Sequence, residues 1–314
     1  MIKFGFSDIS QFSKKTNFKG FFGGQKKISV TLYDKLKDCP DKEAIEEQIL
    51  MFFADEHGTY KRTFCSRFVD FDREMIQQMM AQFSPTETIF IEDVAVSNAR
   101  TSYEFYTRAS EAFPQINMNA TDYDPYFYVV EEGRIRLSFS SKGNLLEIVY
   151  PPFVFNEIKR DSYLYFLNHL VRAAIKFIAV RPLLAAYTSR EKTSHKVPFF
   201  CQEARTLANN DKRFTLGQHD ILESFASDCN VSVIRAMNIL NLDYFHLEQF
   251  QVVLINIFDA LREGGIFGFG SNTDPGMVVN GGIFQKLDNQ FRVLKLSGDG
   301  PHIQILKMIK SFKR

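Results

Sequence analysis

At Pro85 the hydrophobic period of this chain changes. Before it, apolar residues recur at helical spacing: Ala44, Ile45, Ile49, Leu50 and Phe53, then Met75, Ile76, Met79, Met80 and Phe83. After it comes a short apolar run, Thr88-Ile-Phe-Ile-Glu-Asp, and a loop of small residues. A helical stretch over 101–113 follows, with Tyr103, Phe105, Tyr106 and Ala109 on one face, and then a second apolar run over 116–121. Periods of 2 and 3.6 residues mark strand and helix, so this is strand, helix, strand. Two strands joined through a helix lie parallel, and a parallel sheet has both faces covered by helices. The spacing therefore predicts an α/β fold built on a Rossmann-like, doubly wound sheet.

The alternation lapses after Thr121. Arg134–Phe139 and Leu145–Val149, around a Ser-Ser-Lys-Gly-Asn turn, read as a β-hairpin closed by Pro151 and Pro152. Residues 156–187 read as strongly helical and 188–212 as loop and short helix. Strand and helix then resume: strands at 214–216 and 230–236, a helix over 246–261 and a strand at 266–270. Gly264-Gly265 is placed to stop that helix. Residues 291–296 and 303–308, about a Gly-Asp-Gly turn, read as a C-terminal antiparallel hairpin.

The expected organisation is an N-terminal arm and helical region over 1–84 and a Rossmann domain over 85–314, with an inserted β-hairpin/helical subdomain at about 126–210. Two uses of the insertion stay open: a decoration over one sheet edge, or a lid on an apolar pocket. Its Tyr163, Leu164, Phe166, Leu170, Phe177 and Leu183 need burial against the core, a ligand or a second copy, so a homodimer through the insertion is one expectation.

Charge and composition narrow the function. A net charge of +1 with scattered Lys and Arg argues against a nucleic-acid binder. The 33 Phe and absent Trp fit either a Phe-rich core or a greasy substrate pocket. The four Cys and six His are dispersed, which predicts no metal site and free thiols in a reducing cytoplasm. No stretch reaches the apolar length of a membrane span, and the first residues lack the apolar core of a signal peptide, so the expected location is cytoplasmic. GxSxG, P-loop and HExxH patterns are missing. Gly268-Phe-Gly, closing the run Gly265-Ile-Phe-Gly-Phe-Gly, is a lone glycine pattern at a strand end, a weak dinucleotide fingerprint.

In an open parallel sheet, ligands bind beyond the C-terminal strand ends, where strand order reverses. Those ends carry Glu92–Ala99, Thr121–Asp124, Gln218–Ile221 and Ala236–Leu240.

On these residues the chain resembles class I S-adenosylmethionine-dependent methyltransferases, and in look the chemotaxis receptor methyltransferases among them. Four motifs carry the resemblance: Asp93-Val-Ala-Val-Ser-Asn-Ala, Ala120-Thr-Asp-Tyr-Asp-Pro, Gln218-His-Asp-Ile-Leu, and Val233-Ile-Arg-Ala-Met-Asn-Ile-Leu with the later Leu261-Arg-Glu-Gly-Gly-Ile-Phe-Gly-Phe-Gly. It covers about 85–125 and 213–314. It implies S-adenosylmethionine as cofactor, with Asp122 accepting from both ribose hydroxyls and Asp220 from the adenine amino group. It further implies Ile221 packing on the adenine ring, Asp93 holding the ammonium end, Ala95 and Ser97 letting backbone approach closely, and Asn238 completing the site. The chain departs from the family at Ala95, Ser97 and Ala99, where glycines are usual and a left-handed backbone is easy.

The reaction implied is O-methylation of a small or lipid-like acceptor. No Asp/Asn-Pro-Pro-Tyr follows the fourth strand, which disfavours methylation of base amino groups. His219, Tyr244 and His246 near strand ends are candidate bases or structural residues. Two rival readings remain: a catalytically silent interaction module, and a nicotinamide-dependent oxidoreductase, since an acid after the second strand suits the ribose of either cofactor.

Overall fold

A computed structural model describes residues 5–8, 27–36, 39, 42–56, 58, 60–61, 63–158, 166–188, 193–225, 230–272 and 278–314. The first elements in chain order are α1 (Lys42–Phe52), α2 (Val69–Gln82), β1 (Ile89–Val94), α3 (Arg100–Ala112) and β2 (Ile116–Asp122). Next come β3 (Tyr126–Glu132), β4 (Ile135–Phe139), β5 (Leu145–Tyr150), β6 (Phe153–Asn156), α4 (Phe166–Ile175), α5 (Arg181–Thr188) and β7 (His195–Pro198). The chain ends with α6 (Gln202–Asn210), β8 (Phe214–Gln218), β9 (Val231–Met237), α7 (Leu247–Ala260), β10 (Leu261–Ser271), β11 (Asn280–Leu287), β12 (Gln290–Ser297) and α8 (Ile303–Ser311).

These elements form two compact units, 1–63 with 126–199 and 64–125 with 200–314. The sequence reading cuts at 84/85 and near 210 instead. Two helices make the difference: α2 and α6 fall in the second unit, where Met75, Met79 and Ala204 join its core.

The second unit is an open seven-stranded sheet in the order β12-β11-β10-β9-β1-β2-β8. The five strands from β10 to β8 are mutually parallel, and β11 runs antiparallel to both its neighbours. Alternate residues of each strand point to opposite faces. Ile91, Met118 and Val233 thus pack with Met75 of α2, Phe105 of α3 and Ala204 of α6. Val94, Ile234 and Phe267 pack with Phe250 and Ile257 of α7 and Ile305 of α8. The sheet is therefore wound on both faces, a Rossmann-like α/β fold. Much of the Phe content is core here: Phe267 stacks on Phe269 at 5.1 Å and Phe258 meets Phe291 edge-on at 5.1 Å.

Two expectations about the end of the chain are corrected. Gly264-Gly265 does not stop α7, which ends at Ala260; Gly264, at φ 76°, sits inside β10 where the pairing with β9 shifts register. The antiparallel hairpin is β11–β12, and 303–308 lies in α8. Ile305 and Ile309 bury one helical turn apart, and the His302 imidazole caps the helix by accepting from the Gln304 N–H. The glycine run Gly268-Phe-Gly lies inside β10, as the strand reading of 266–270 expects, with Met75 packed over Gly268.

The first unit is an antiparallel sheet ordered β6-β5-β4-β3-β7. The expected hairpin is its β4–β5 pair, and Pro151 and Pro152 lead into β6 rather than ending the sheet. One face, with Phe127 and Val129, packs against Ile45 and Ile49 of α1. The other, with Val130, Leu137 and Phe155, packs against Val180 and Leu183 of the α4–α5 segment. Tyr163 and Leu164 lie outside the described residues, as does the side chain of Phe166.

Candidate functional site

From β1 the chain builds outward to β2 and β8, then returns to build β9 and β10 on the other side. Strand order thus reverses between β1 and β9, the place where such sheets bind ligands. Val94 on β1 is level with Ala236 on β9 and with Thr121 on β2, so the loops at 95–99, 122–124 and 238–240 leave from one end of the sheet.

The backbone there is unusual. Ala95, Ser97 and Ala99 have φ of 58, 56 and 58°, and Asn238 has 59°. A Cβ in the left-handed region costs roughly 1–2 kcal/mol, so it persists only where neighbours dictate it. Here they do. The Val96 N–H donates to the Thr121 carbonyl at 3.1 Å, the Ala99 N–H to the Val96 carbonyl at 2.9 Å, and the Arg100 N–H to Asn98 Oδ1 at 3.1 Å. The Asn98 carbonyl accepts from the Cys201 N–H at 2.8 Å. The loop keeps a glycine-type conformation with small residues in place of glycines.

Asp122 ends β2 and is buried. Its Oδ2 accepts the Ser97 N–H at 2.7 Å and its Oδ1 the Asp124 N–H at 3.2 Å. Its carbonyl accepts the His219 N–H at 3.1 Å. One residue therefore ties together the loops that follow β1, β2 and β8.

Asp93 goes elsewhere. It is 1% exposed and points into the α2/α3 side of the sheet, where Arg235 Nη1 donates to its two oxygens at 3.1 and 2.9 Å. Arg235 Nε donates to Asp72 Oδ1 at 3.0 Å, and Arg108 stands 3.8 Å from the other Asp72 oxygen. The rings of Phe105 and Phe68 flank the guanidinium at 5.1 and 5.4 Å. Burial pushes the Asp72 carboxyl up to about 6 even against Arg235, and pushes Asp93 up as well. Arg235 was missed by the sequence reading. The available signal was a cation in the middle of Val-Ser-Val-Ile-Arg-Ala-Met, because a fully buried strand tolerates a charge only with partners.

The remaining expected residues are dispersed around the same sheet end. Asp220 Oδ1 accepts the Leu222 N–H at 2.9 Å, closing a turn after β8. Ile221 is buried in the core on the α7 side. Asn238 Oδ1 accepts the Asn272 N–H at 2.9 Å, so it fixes the start of the loop after β10. His219 packs on Phe225 at 4.6 Å, and its buried Nε2 has no partner among the described residues. Burial lowers the His219 pKa, outweighing Asp220 and Glu223, which favours the neutral ring. His246 is structural: it caps α7, its N–H donating to Gln249 Oε1 at 3.1 Å.

No protein-family model matches the chain, and no curated protein matches it. Similar solved structures include KedS8, a sugar N-methyltransferase from a Streptoalloteichus species, at 9% identity over 73% of this chain and 58% of that one, TM-score 0.32. They include CalS10 bound to S-adenosylmethionine, an amino pentose methyltransferase from Micromonospora echinaspora, at 11% identity over 75% and 62%, TM-score 0.31. They also include an S-adenosylmethionine-dependent methyltransferase from Clostridium acetobutylicum, at 8% identity over 74% and 70%, TM-score 0.32. The chain spans about three fifths of the length of KedS8 and CalS10.

Proposed function

We propose that the sheet unit binds S-adenosylmethionine and that the chain is a methyltransferase, transferring to oxygen on a small or lipid-like acceptor. One observation carries the reading: left-handed backbone at Ala95, Ser97 and Ala99, with the Ser97 N–H held by Asp122, at the switch point of the sheet. Such strain clusters at ligand sites, which is why it supports this reading.

The residues fit the ribose end of the group. Asp122 sets a carboxylate at the end of β2, the group that receives a vicinal diol through two charge-assisted hydrogen bonds. Ala95 and Ser97 are small enough for a ligand to lie against their backbone. Asp220 and the buried Nε2 of His219 supply polar contacts after β8 for an adenine edge, with Ile221 walling that side. Asn238 shapes the opposite wall by holding Asn272. Asp93 is a positioning residue in this reading: its ion pair with Arg235 fixes the end of β1, from which the strained loop starts. When bound, the cofactor would supply an electrophilic methyl group on its sulfonium. The protein's part is to orient the acceptor in line and exclude water.

The Asp93–Arg235 pair also favours a second reading, a silent module that kept the fold, because the first strand-end acid has its charge matched internally. Thermal denaturation with S-adenosylmethionine, S-adenosylhomocysteine and NAD separates the readings. A ligand that prefers the native state raises the melting temperature. A rise with the first two supports the proposal; silence with all three supports the module.

A further inference from the structure

The α4–α5 segment is apolar on two faces. Its inner stripe, Val171, Ile175, Val180, Leu184 and Tyr187, packs toward the antiparallel sheet. The step from Ile175 to Val180 is one residue longer than a helical turn, and it falls in a π turn over Lys176–Val180. That extra residue keeps the inner stripe in line across the junction. It also sets Phe177 and Ile178 side by side on the outer surface, 66% and 73% exposed, with Leu170 at 50% a turn or two before. Arg181 lies over the Phe177 ring at 5.1 Å. Single exposed apolar residues are ordinary, but a row of three on one helical segment calls for a cover.

Charge identifies the cover. Residues 166–188 contain Arg172, Lys176 and Arg181 and no Asp or Glu, and 159–192 contains seven Lys or Arg against two Asp or Glu, in a chain of net +1. Glu157, buried at the end of the sheet, pairs with Arg172 and Lys176 and so anchors the inner side of the helix. Arg181 remains outside, beside the apolar row. A two-fold contact with a second copy would set like charges against each other. Phe177 and Ile178 beside the outward cation Arg181, on a helical segment without acids, match the acyl boundary and headgroups of an anionic bilayer.

We propose that this face docks the protein on an anionic membrane surface through Leu170, Phe177 and Ile178, with Arg181 at the headgroups. No described helix is long and apolar enough to cross a membrane, so the contact is peripheral. The inference rests on the first unit's own surface and stands whether or not the sheet unit binds a cofactor.

The test is co-sedimentation of the full chain with vesicles of phosphatidylcholine alone or mixed with phosphatidylglycerol. The wild type is expected to pellet with the mixed vesicles, less so at high salt. The double variant Phe177→Glu, Ile178→Glu should keep its melting temperature and lose roughly tenfold or more in partitioning. Absence of wild-type binding, or equal binding by the variant, would overturn the proposal. So would a wild-type dimer in sedimentation velocity that the variant converts to monomer, since a second copy would then be the cover.

Discussion

The guanidinium of Arg235 on β9 grips both oxygens of Asp93, the acid near the end of β1, at 3.1 and 2.9 Å. The same guanidinium holds Asp72 on α2 at 3.0 Å. The two switch-point strands and the helix above them are thereby tied by one buried cation. Removing the cation leaves two carboxylates in the core without it. Arg235→Met is expected to destabilise by about 3–5 kcal/mol in urea unfolding. A loss under about 1 kcal/mol would mean that the side chains do not act as a charge network.

Left-handed Ala95 and Ala99 predict an unusual direction for a glycine substitution. Ala→Gly ordinarily destabilises, but here it removes the Cβ clash. Ala95→Gly and Ala99→Gly should each stabilise by about 0.5–1 kcal/mol, the strain relieved less the added unfolded-state freedom. Ser97→Val, which puts a β-branched residue in the same region, should cost at least about 1 kcal/mol. Melting temperatures of the three variants check the prediction; falls for both glycine variants would contradict the loop conformation.

Glu147 predicts a pH dependence in the antiparallel unit. It is buried, and burial outweighs hydrogen bonds from Ser29 Oγ at 2.6 Å and the Val30 N–H at 3.1 Å, pushing its pKa from 4.5 up to about 7. The native state thus holds the proton more tightly than the unfolded chain. That contribution is full below about pH 4.5 and is lost as pH rises through about 7. Its size is on the order of 3 kcal/mol. Calorimetry at pH 5 and pH 8 should show this unit less stable at the higher value, with Glu147→Gln flattening the difference. An unchanged slope in the variant would assign the effect to other groups.

Two glycines of the central strands should respond differently. A Cβ on Gly281 would run into the Phe269 carbonyl and the Gly270 backbone, which cannot move without breaking the β10–β11 pair. A Cβ on Gly268 would meet only the flexible end of Met75. Gly281→Ala is expected to cost more than about 2 kcal/mol and Gly268→Ala less than that. Equal losses in chemical denaturation would rule out this account of the strand packing.

The parts of the molecule legible in the sequence are those set by local pattern. The βαβ unit at 89–122 follows from period alone, and Asp122 follows from being the acid where the second strand ends. Long-range partners were not legible. Arg235 meets Asp72 and Asp93 across 163 and 142 positions, and no local rule links them. The β3–β7 pair joins Tyr126 to Pro198, so the hairpin could be read but not the five-stranded sheet around it. At the C-terminus the run Ile303-Gln-Ile-Leu-Lys-Met satisfies both periods; burial of Ile305 and Ile309 selects the helix. The hairpin turn at Asp288-Asn289, φ 49 and 61°, was available as a signal and outweighs the Gly-Asp-Gly run.

Calorimetric titration of S-adenosylhomocysteine into the wild type, Asp122→Ala and Asp124→Ala tests the central claim most directly. The Asp124 backbone N–H still meets Oδ1 of Asp122 when the Asp124 side chain is cut back, so that variant should bind nearly as the wild type does. Asp122→Ala, with its melting temperature checked, should weaken binding by roughly 2–4 kcal/mol. Saturable wild-type binding lost only in Asp122→Ala is the predicted result. No wild-type heat of binding, or the same affinity in all three proteins, would contradict a cofactor site at the end of β2.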